Sequence, residues 1–170
     1  TDVEPVERPN GVHLAWNSKE LAEVFNLNGF EGKAVNKRVP EWIWSLPESQ
    51  RLAFIAGYLD ADGTVTRGRL KLKSVNRGLL EDVASLLVTL GITSRLYTEF
   101  SEPREVTIMG VRCIAHGSYW LVFTPDERFY PHLCENLRDR VIKSRSSMKT
   151  HRNIGRSILD LSDDVEVVRV

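Results

Sequence analysis

No stretch of this 170-residue chain approaches the roughly 18–20 consecutive apolar residues that a membrane span needs. The N-terminus, with Asp2, Glu4 and Glu7, also lacks the basic-then-apolar order of a secretory signal. A soluble, intracellular, cytoplasmic protein is therefore expected. Cysteine is scarce: Cys113 and Cys134 fit neither a zinc spacing nor a disulfide framework and read as free thiols of a reducing compartment. His116 and His132 pair at no metal-ligand spacing. With only 11 Gly and 7 Pro the chain is neither collagenous nor low-complexity, and 42% hydrophobic against 27% charged residues is the balance of a folded domain. Net charge is missing too, since 23 basic residues face 23 acidic ones.

The zero average hides an uneven distribution. Residues 64–80 carry Arg67, Arg69, Lys71, Lys73 and Arg77 with no acid, and residues 138–156 carry seven Lys or Arg and His151 against the single Asp139. Such clusters are either solvated faces or a surface that meets phosphate.

Residues 1–12, with two prolines and no apolar period, read as a tail or linker. Asn17 and Glu20 form a capping box for a short helix that places Leu21, Val24 and Phe25 on one face and ends at Asn28 and Gly29. Residues 32–38 read as a polar loop, and Trp42 and Trp44, like Trp120, as core or hinge aromatics. Ser45 is the expected N-cap of a helix from about 46 to about 60, with Glu48 completing its box. On that helix Ala53, Gly57 and Ala61 recur every four residues, a stripe that lets two helix backbones approach closely. A helix-interior glycine costs about 1 kcal/mol against alanine, so Gly57 calls for such a packing reason.

Residues 64–67 and 69–73 read as a hairpin about Gly68, with Arg69, Lys71 and Lys73 on one face and Leu70 and Leu72 on the other. Asn76 caps an amphipathic helix that ends at Gly91. A strand at 92–100 sets Thr93, Arg95, Tyr97 and Glu99 opposite Ser94, Leu96, Thr98 and Phe100. Residues 106–114, interrupted at Gly110, read as an extended hairpin arm, and 119–123 as the most apolar strand. Thr124 with Glu127 caps a helix through about 138, followed by a basic, Ser-rich connector and a strand-like end at 165–170.

One short segment carries the chemistry. Ile55-Ala56-Gly57-Tyr58-Leu59-Asp60-Ala61-Asp62-Gly63 closes the small-faced helix and feeds into the basic hairpin. The helix macrodipole disfavours an acid at a helix C-terminus, and a hard divalent cation held by the Asp62 carboxylate and the Ala61 carbonyl would compensate it. Two such helices meeting at the stripe would juxtapose two carboxylates, which is costly without metal and is the outline of a two-metal phosphodiester hydrolysis site. A calcium loop starting at Asp60 fails, because Thr64, Val65 and Lys71 stand where an acid or Asn, Gly and Glu are needed. The alternative in which Asp60 and Asp62 only end a structural turn stays open.

This nonapeptide resembles the LAGLIDADG motif of homing endonucleases. The order helix-strand-strand-helix-strand-strand-helix over about residues 39–140, Ser74-x-Asn76, and Leu90-Gly91-Ile92 fall in step with that family's repeat. The resemblance implies an α+β fold, a homing endonuclease-like repeat (α-β-β-α-β-β-α) with helices packed on one face of an antiparallel sheet. It further implies two repeats packed motif helix on motif helix through Ala53, Gly57 and Ala61, and site-specific cleavage of double-stranded DNA with Mg²⁺ or Mn²⁺. Asp62 is the residue the family uses on metal, with Ala61 beside it, whereas the Asp60 position more often makes structural hydrogen bonds. A basic sheet residue assists the chemistry, and Lys73 at the strand end is chosen over Lys71. Arg67, Arg69, Lys71 and Lys73, with Arg95 and Tyr97 on the neighbouring strand, are expected in the major groove, because a two-stranded ribbon fits there. Arg77 and the connector, Lys149 and Arg152 included, are expected on phosphates.

Residues 38–43 resemble the segment that precedes the second motif in endonuclease domains embedded in inteins, and a strand running into a capped helix at 13–25 echoes residues 121–127. The expected organisation is a linker and the end of a preceding repeat at 1–38, the repeat at 39–140, and a basic connector with a strand-like end at 141–170. The second repeat would come from a missing N-terminal half or from a homodimer partner. With Thr1 first and Val170 last, the chain is not expected to splice by itself. Residues 119–123 hold no Lys where some relatives have one, which keeps a second class open: a DNA-binding module without cleavage, either a degenerate intein insert or a WhiA-like regulator.

Overall fold

The alternation along residues 69–73 decides which side of the sheet meets the core. In the computed structural model, which describes residues 6–7, 14–15, 18–108 and 110–152, Leu70 and Leu72 are fully buried while Arg69 and Lys73 are exposed. Both leucines lie on β4 (Arg69–Ser74), which pairs antiparallel with β3 (Gly63–Thr66) and with β8 (Ser118–Phe123). With β5 (Ser94–Phe100) on the other side of β8, the sheet runs β3-β4-β8-β5. Helices α2 (Glu48–Asp62) and α3 (Arg77–Val88) cover its apolar face. Leu52, Ile55, Ala56 and Leu59 from α2 and Leu80, Val83, Leu86 and Leu87 from α3 share one core with Leu121 and Phe123 of β8. Burying each such Leu or Ile is worth about 1.5–3 kcal/mol, so helix and strand periods agree on one interior. The α+β layering and the antiparallel sheet thus match the expectation.

Asn76 caps α3 as its sequence context requires: Oδ1 accepts from the Leu79 amide at 3.0 Å. Its Nδ2 also donates to the carbonyls of Ala34 and Lys37, so residues 34–37 are tied to the helix start. Next to them Arg38 makes a two-pronged ion pair with Asp82 at 2.6 and 2.5 Å. The hairpin arm is present as β6 (Arg104–Ile108) and β7 (Val111–Ala115), a separate two-stranded ribbon.

Several expectations are corrected. The first helix, α1 (Lys19–Leu27), is capped by Ser18, whose Oγ accepts from the Leu21 amide, while Asn17 lies outside the described residues. Where a tail was expected, β1 (Val6–Glu7) pairs antiparallel with β2 (Leu14–Ala15). Ser45 caps no helix. It ends a 3-10 turn, Glu41–Ser45, and its Oγ donates to the Trp42 carbonyl. The reason is Pro47, which holds Leu46 in extended backbone and delays α2 to Glu48. Thr124 does not open a long helix either: Asp126 caps a 3-10 turn, Glu127–Phe129, and Pro131 follows its C-cap Tyr130. The next helix, α4 (Glu135–Arg152), continues unbroken through residue 140 and into the segment expected to be a connector, as far as Arg152. Tertiary contacts outweigh its Ser-rich composition, because Leu137 and Val141 are buried and Ser144 Oγ accepts from the Gly68 amide at 2.7 Å. The strand-like end at 165–170 lies outside the described residues. Among the described residues, no helix is long and apolar enough to cross a membrane, and Cys113 and Cys134 are free thiols.

Candidate nucleic-acid interface

The sheet face turned away from the helices is built by the hairpin. Thr66 pairs with Arg69 across a two-residue turn in which Arg67 and Gly68 both have positive φ (+50° and +68°), so Arg67 stands at the tip. Beyond the turn, Arg69, Lys71 and Lys73 project from the open face by strand alternation. The register extends that face: Lys71 is opposite Val122 and Val122 opposite Arg95, while Lys73 is opposite Trp120 and Trp120 opposite Tyr97. Strand β8 therefore stands between β4 and β5, and Arg95 and Tyr97 are not on the strand next to β4. At about 4.8 Å per strand they sit about 10 Å from Lys71 and Lys73, still on the same face. The apolar residues 119–123 favour an interior position, yet only long-range pairing shows which strands flank them. At the end of the sheet away from Lys73, Arg69 and Arg95 border an open cleft of about 320 Å³, also lined by Ser94, Val122 and Thr124.

Trp120 is neither core nor hinge. It occupies the centre of the open face, with Lys71 Nζ 3.8 Å and Lys73 Nζ 4.7 Å from its ring centre. Its indole N–H donates to Glu99 at 3.1 Å, and Glu99 also accepts from Ser118 Oγ at 2.6 Å and pairs with Lys73 Nζ at 3.0 Å. Foremost the Ser118 hydroxyl, then Lys73, hold the Glu99 carboxyl down at about 2. Glu99 falls at a register shift between Thr98 and Phe100, a bulge that re-aims side chains. Alternation alone sets Glu99 on the basic face, but no sequence signal pairs it with Ser118 and Trp120, which stand about twenty residues away.

Asp62 is the last residue of α2. Gly63 follows it and enters β3 opposite Leu72, so the helix end is delivered to the Lys73 end of β4. A side chain at Gly63 would put its Cβ 2.3 Å from the Leu59 carbonyl oxygen, so only glycine allows this close entry. Among the described residues the Asp62 carboxylate is exposed and makes no hydrogen bond or ion pair. Its charge reaches Tyr58, whose hydroxyl pKa is raised mainly by burial and further by Asp62, against a hydrogen bond with Ser74. Asp60 is used differently: both its oxygens accept from the Cys134 amide at 3.1 Å, joining α2 to the start of α4. Among the described residues no three His, Cys, Asp or Glu side chains converge on a metal site, and Ala61 stands beside Asp62 at the helix end.

The stripe of Ala53, Gly57 and Ala61 is exposed along α2, away from the buried Leu52, Ile55, Ala56 and Leu59. A Cβ at Gly57 would meet nothing within 4 Å. Helix α1 buries none of its residues, and Val24, Phe25 and Leu27 are all more than half exposed. Arg77, the first residue of α3, is exposed and paired with Glu81 at 2.8 Å. Lys149 and Arg152 fall in the last turns of α4, and their side chains lie outside the described residues.

Known proteins resemble this chain in sequence and in fold. The sequence pattern of the LAGLIDADG-like domain family matches residues 49–155. A DNA polymerase of Thermococcus sp. (strain GE8) is 38% identical over 86 residues, 48% of this chain and 5% of the polymerase. An iron-sulfur cluster assembly SufBD family protein of Mycobacterium leprae is 44% identical over 66 residues, 38% of this chain and 8% of that protein. The chain thus spans a small fraction of either relative's length. The crystal structure of I-DmoI in complex with DNA and Ca has the same fold, with a TM-score of 0.51 at 21% identity over 88% of this chain and 66% of that one. With the nonapeptide of residues 55–63 at the end of α2, its basic hairpin and a pattern match across more than half of its length, the chain belongs to the LAGLIDADG family.

Proposed function

We propose that this chain is one repeat of an intein-embedded homing endonuclease, the second of two, which binds duplex DNA on its open sheet face and cleaves it when a second repeat completes the site. The carrying observation is the exposed, unpaired Asp62 carboxylate at the end of α2, beside both the basic hairpin and the exposed small-residue stripe. Support for an insert comes from the relatives, since one module of this kind recurs as 5% of a DNA polymerase and 8% of an iron-sulfur assembly protein, whose named roles have nothing in common. The solved neighbour of the same fold was crystallised with DNA and Ca, which fits DNA and a divalent cation as partners.

The donor set suits a hard cation. Asp62 and the Ala61 carbonyl would hold Mg²⁺ or Mn²⁺ together with an acid from the other repeat. When bound, such ions lower the pKa of an attacking water and stabilise the leaving oxygen of a phosphodiester. The chain's own residues bind and orient the duplex: Arg69, Lys71, Arg95 and Tyr97 face the groove, Arg67 reaches from the hairpin tip, and Arg77, Lys149 and Arg152 take phosphates. Lys73, at the Asp62 end of β4, supplies positive charge next to the scissile phosphate once the specific complex draws it from Glu99. The other repeat docks on Ala53, Gly57 and Ala61, and the uncovered apolar face of α1 favours a preceding repeat in the same chain over a homodimer partner. Residues 39–140 form the core of this repeat in our reading, and the compartment is the cytoplasm, where the duplex target lies.

A second reading, DNA binding without cleavage, draws on one observation: Lys73 is already engaged by Glu99 at 3.0 Å. The deciding experiment assays a two-repeat protein containing this chain on duplexes selected from a random library. Mg²⁺-dependent double-strand breaks, abolished by Asp62→Asn with binding retained, are expected. Tight binding with no cleavage in Mg²⁺ or Mn²⁺ would give the case to the second reading.

A further inference from the structure

The open face of the sheet carries an anion of its own. Glu99, re-aimed by the bulge in β5, meets Lys73 Nζ at 3.0 Å and is anchored by Ser118 Oγ and the Trp120 indole N–H, with Arg104 at 3.8 Å on its other oxygen. Lys71 and Lys73 both lie over the Trp120 ring and Glu99 pairs with Lys73, so the two ammonium groups and the carboxylate form one cluster at the middle of the proposed DNA surface. An arrangement with two hydrogen bonds dedicated to orienting the acid is more than a chance surface pair. Isolated surface pairs contribute little to stability, so the cluster's value lies in what it does to the field of the face.

We infer that Glu99 is a specificity-determining latch: it occupies Lys73 in place of a DNA phosphate, so that sequence-independent attraction to DNA is held down and binding depends on contacts made elsewhere on the face. This rests on the DNA-binding reading of the sheet. The physical consequence is quantitative, because a cation already neutralised by Glu99 releases no counterion from DNA. Each phosphate neutralised adds about 0.9 to the salt slope of duplex binding. Freeing Lys73 therefore steepens the slope by about 0.9 and makes affinity fall about 3.5-fold more between 50 and 200 mM salt. It also tightens non-specific binding at low salt while leaving the specific complex less changed, which lowers the ratio of specific to non-specific affinity.

The test is a double-mutant cycle on the full chain with a random-sequence duplex, measured by fluorescence anisotropy from 50 to 300 mM salt. Glu99→Gln keeps an acceptor for Ser118 and Trp120 and removes only the charge. The expected result is a slope steeper by about 0.9 for Glu99→Gln, with Glu99→Gln/Lys73→Gln returning to the wild-type value. A gain in binding of equal size with and without Lys73 would show that Glu99 acts through its charge at large, and would overturn the latch. An unchanged slope with weaker binding to a selected duplex would overturn it in favour of Glu99 as a base contact. If wild-type protein binds no duplex at any salt, the DNA reading itself fails, and the inference with it.

Discussion

Glu99 shows at the scale of one residue how a sheet face can hold a charge of the wrong sign. Its carboxyl lies at about 2, far below the ordinary 4.5, through the Ser118 hydroxyl first and Lys73 second. A lowered folded-state pKa contributes stability above the unfolded value and loses it as pH falls through the folded one. The contribution of Glu99 is therefore complete above about pH 4.5 and disappears toward pH 2. In acid titrations followed by circular dichroism, Glu99→Gln is expected to lose less stability than wild type across that window. Equal losses would place the shifted carboxyl elsewhere. Asn76 is the contrasting residue, since its capping of α3 is legible from its own neighbours. The partners of Glu99 are not, because a bulge and a strand about twenty residues away create them. The same holds for Trp120, whose run of apolar neighbours conceals that one side of β8 lies on the open face.

At the scale of elements, α2 presents two unlike faces. Its buried face anchors the core, and its exposed stripe of Ala53, Gly57 and Ala61 is free of neighbours at Gly57. Gly57→Leu is accordingly expected to stabilise the isolated chain by about 0.5–1 kcal/mol, because leucine is the better helix former and has open space to occupy. The same change is expected to abolish pairing with a second repeat. Thermal melts and sedimentation check the two halves, and a destabilised monomer that still pairs would refute the assignment of the stripe. The helix itself, the hairpin and α3 are legible in the sequence because their periods and caps are local. Helix α4 is not: beyond about residue 138 a basic, Ser-rich composition speaks for a connector, whereas Val141, Ser144 and the Asp60 anchor at Cys134 make a helix of it through contacts that only the fold supplies. The start of α2 errs the other way, where Ser45 offers a cap and Pro47 overrules it.

For the whole molecule, Arg69, Lys71, Lys73 and Arg95 gather on one face of the sheet and the helices α2 and α3 on the other. The motif reveals the family and Asp62, and strand alternation reveals Arg69, Lys71 and Lys73. The width of the face, with β8 inserted between the two basic strands, is a property of the assembled sheet alone. The central claim is that duplex DNA lies on that face. The most direct measurement is the salt dependence of duplex binding for the full chain, for Arg69→Ala/Arg95→Ala, and for a variant of equal charge loss on α4, Arg140→Ala/Lys143→Ala. The account predicts a linear fall of log affinity with log salt in wild type and, for Arg69→Ala/Arg95→Ala, a loss of discrimination between a selected duplex and random DNA, at about 1–3 kcal/mol for each base contact removed. Retained discrimination in that variant, with the loss appearing in the α4 variant instead, would contradict it.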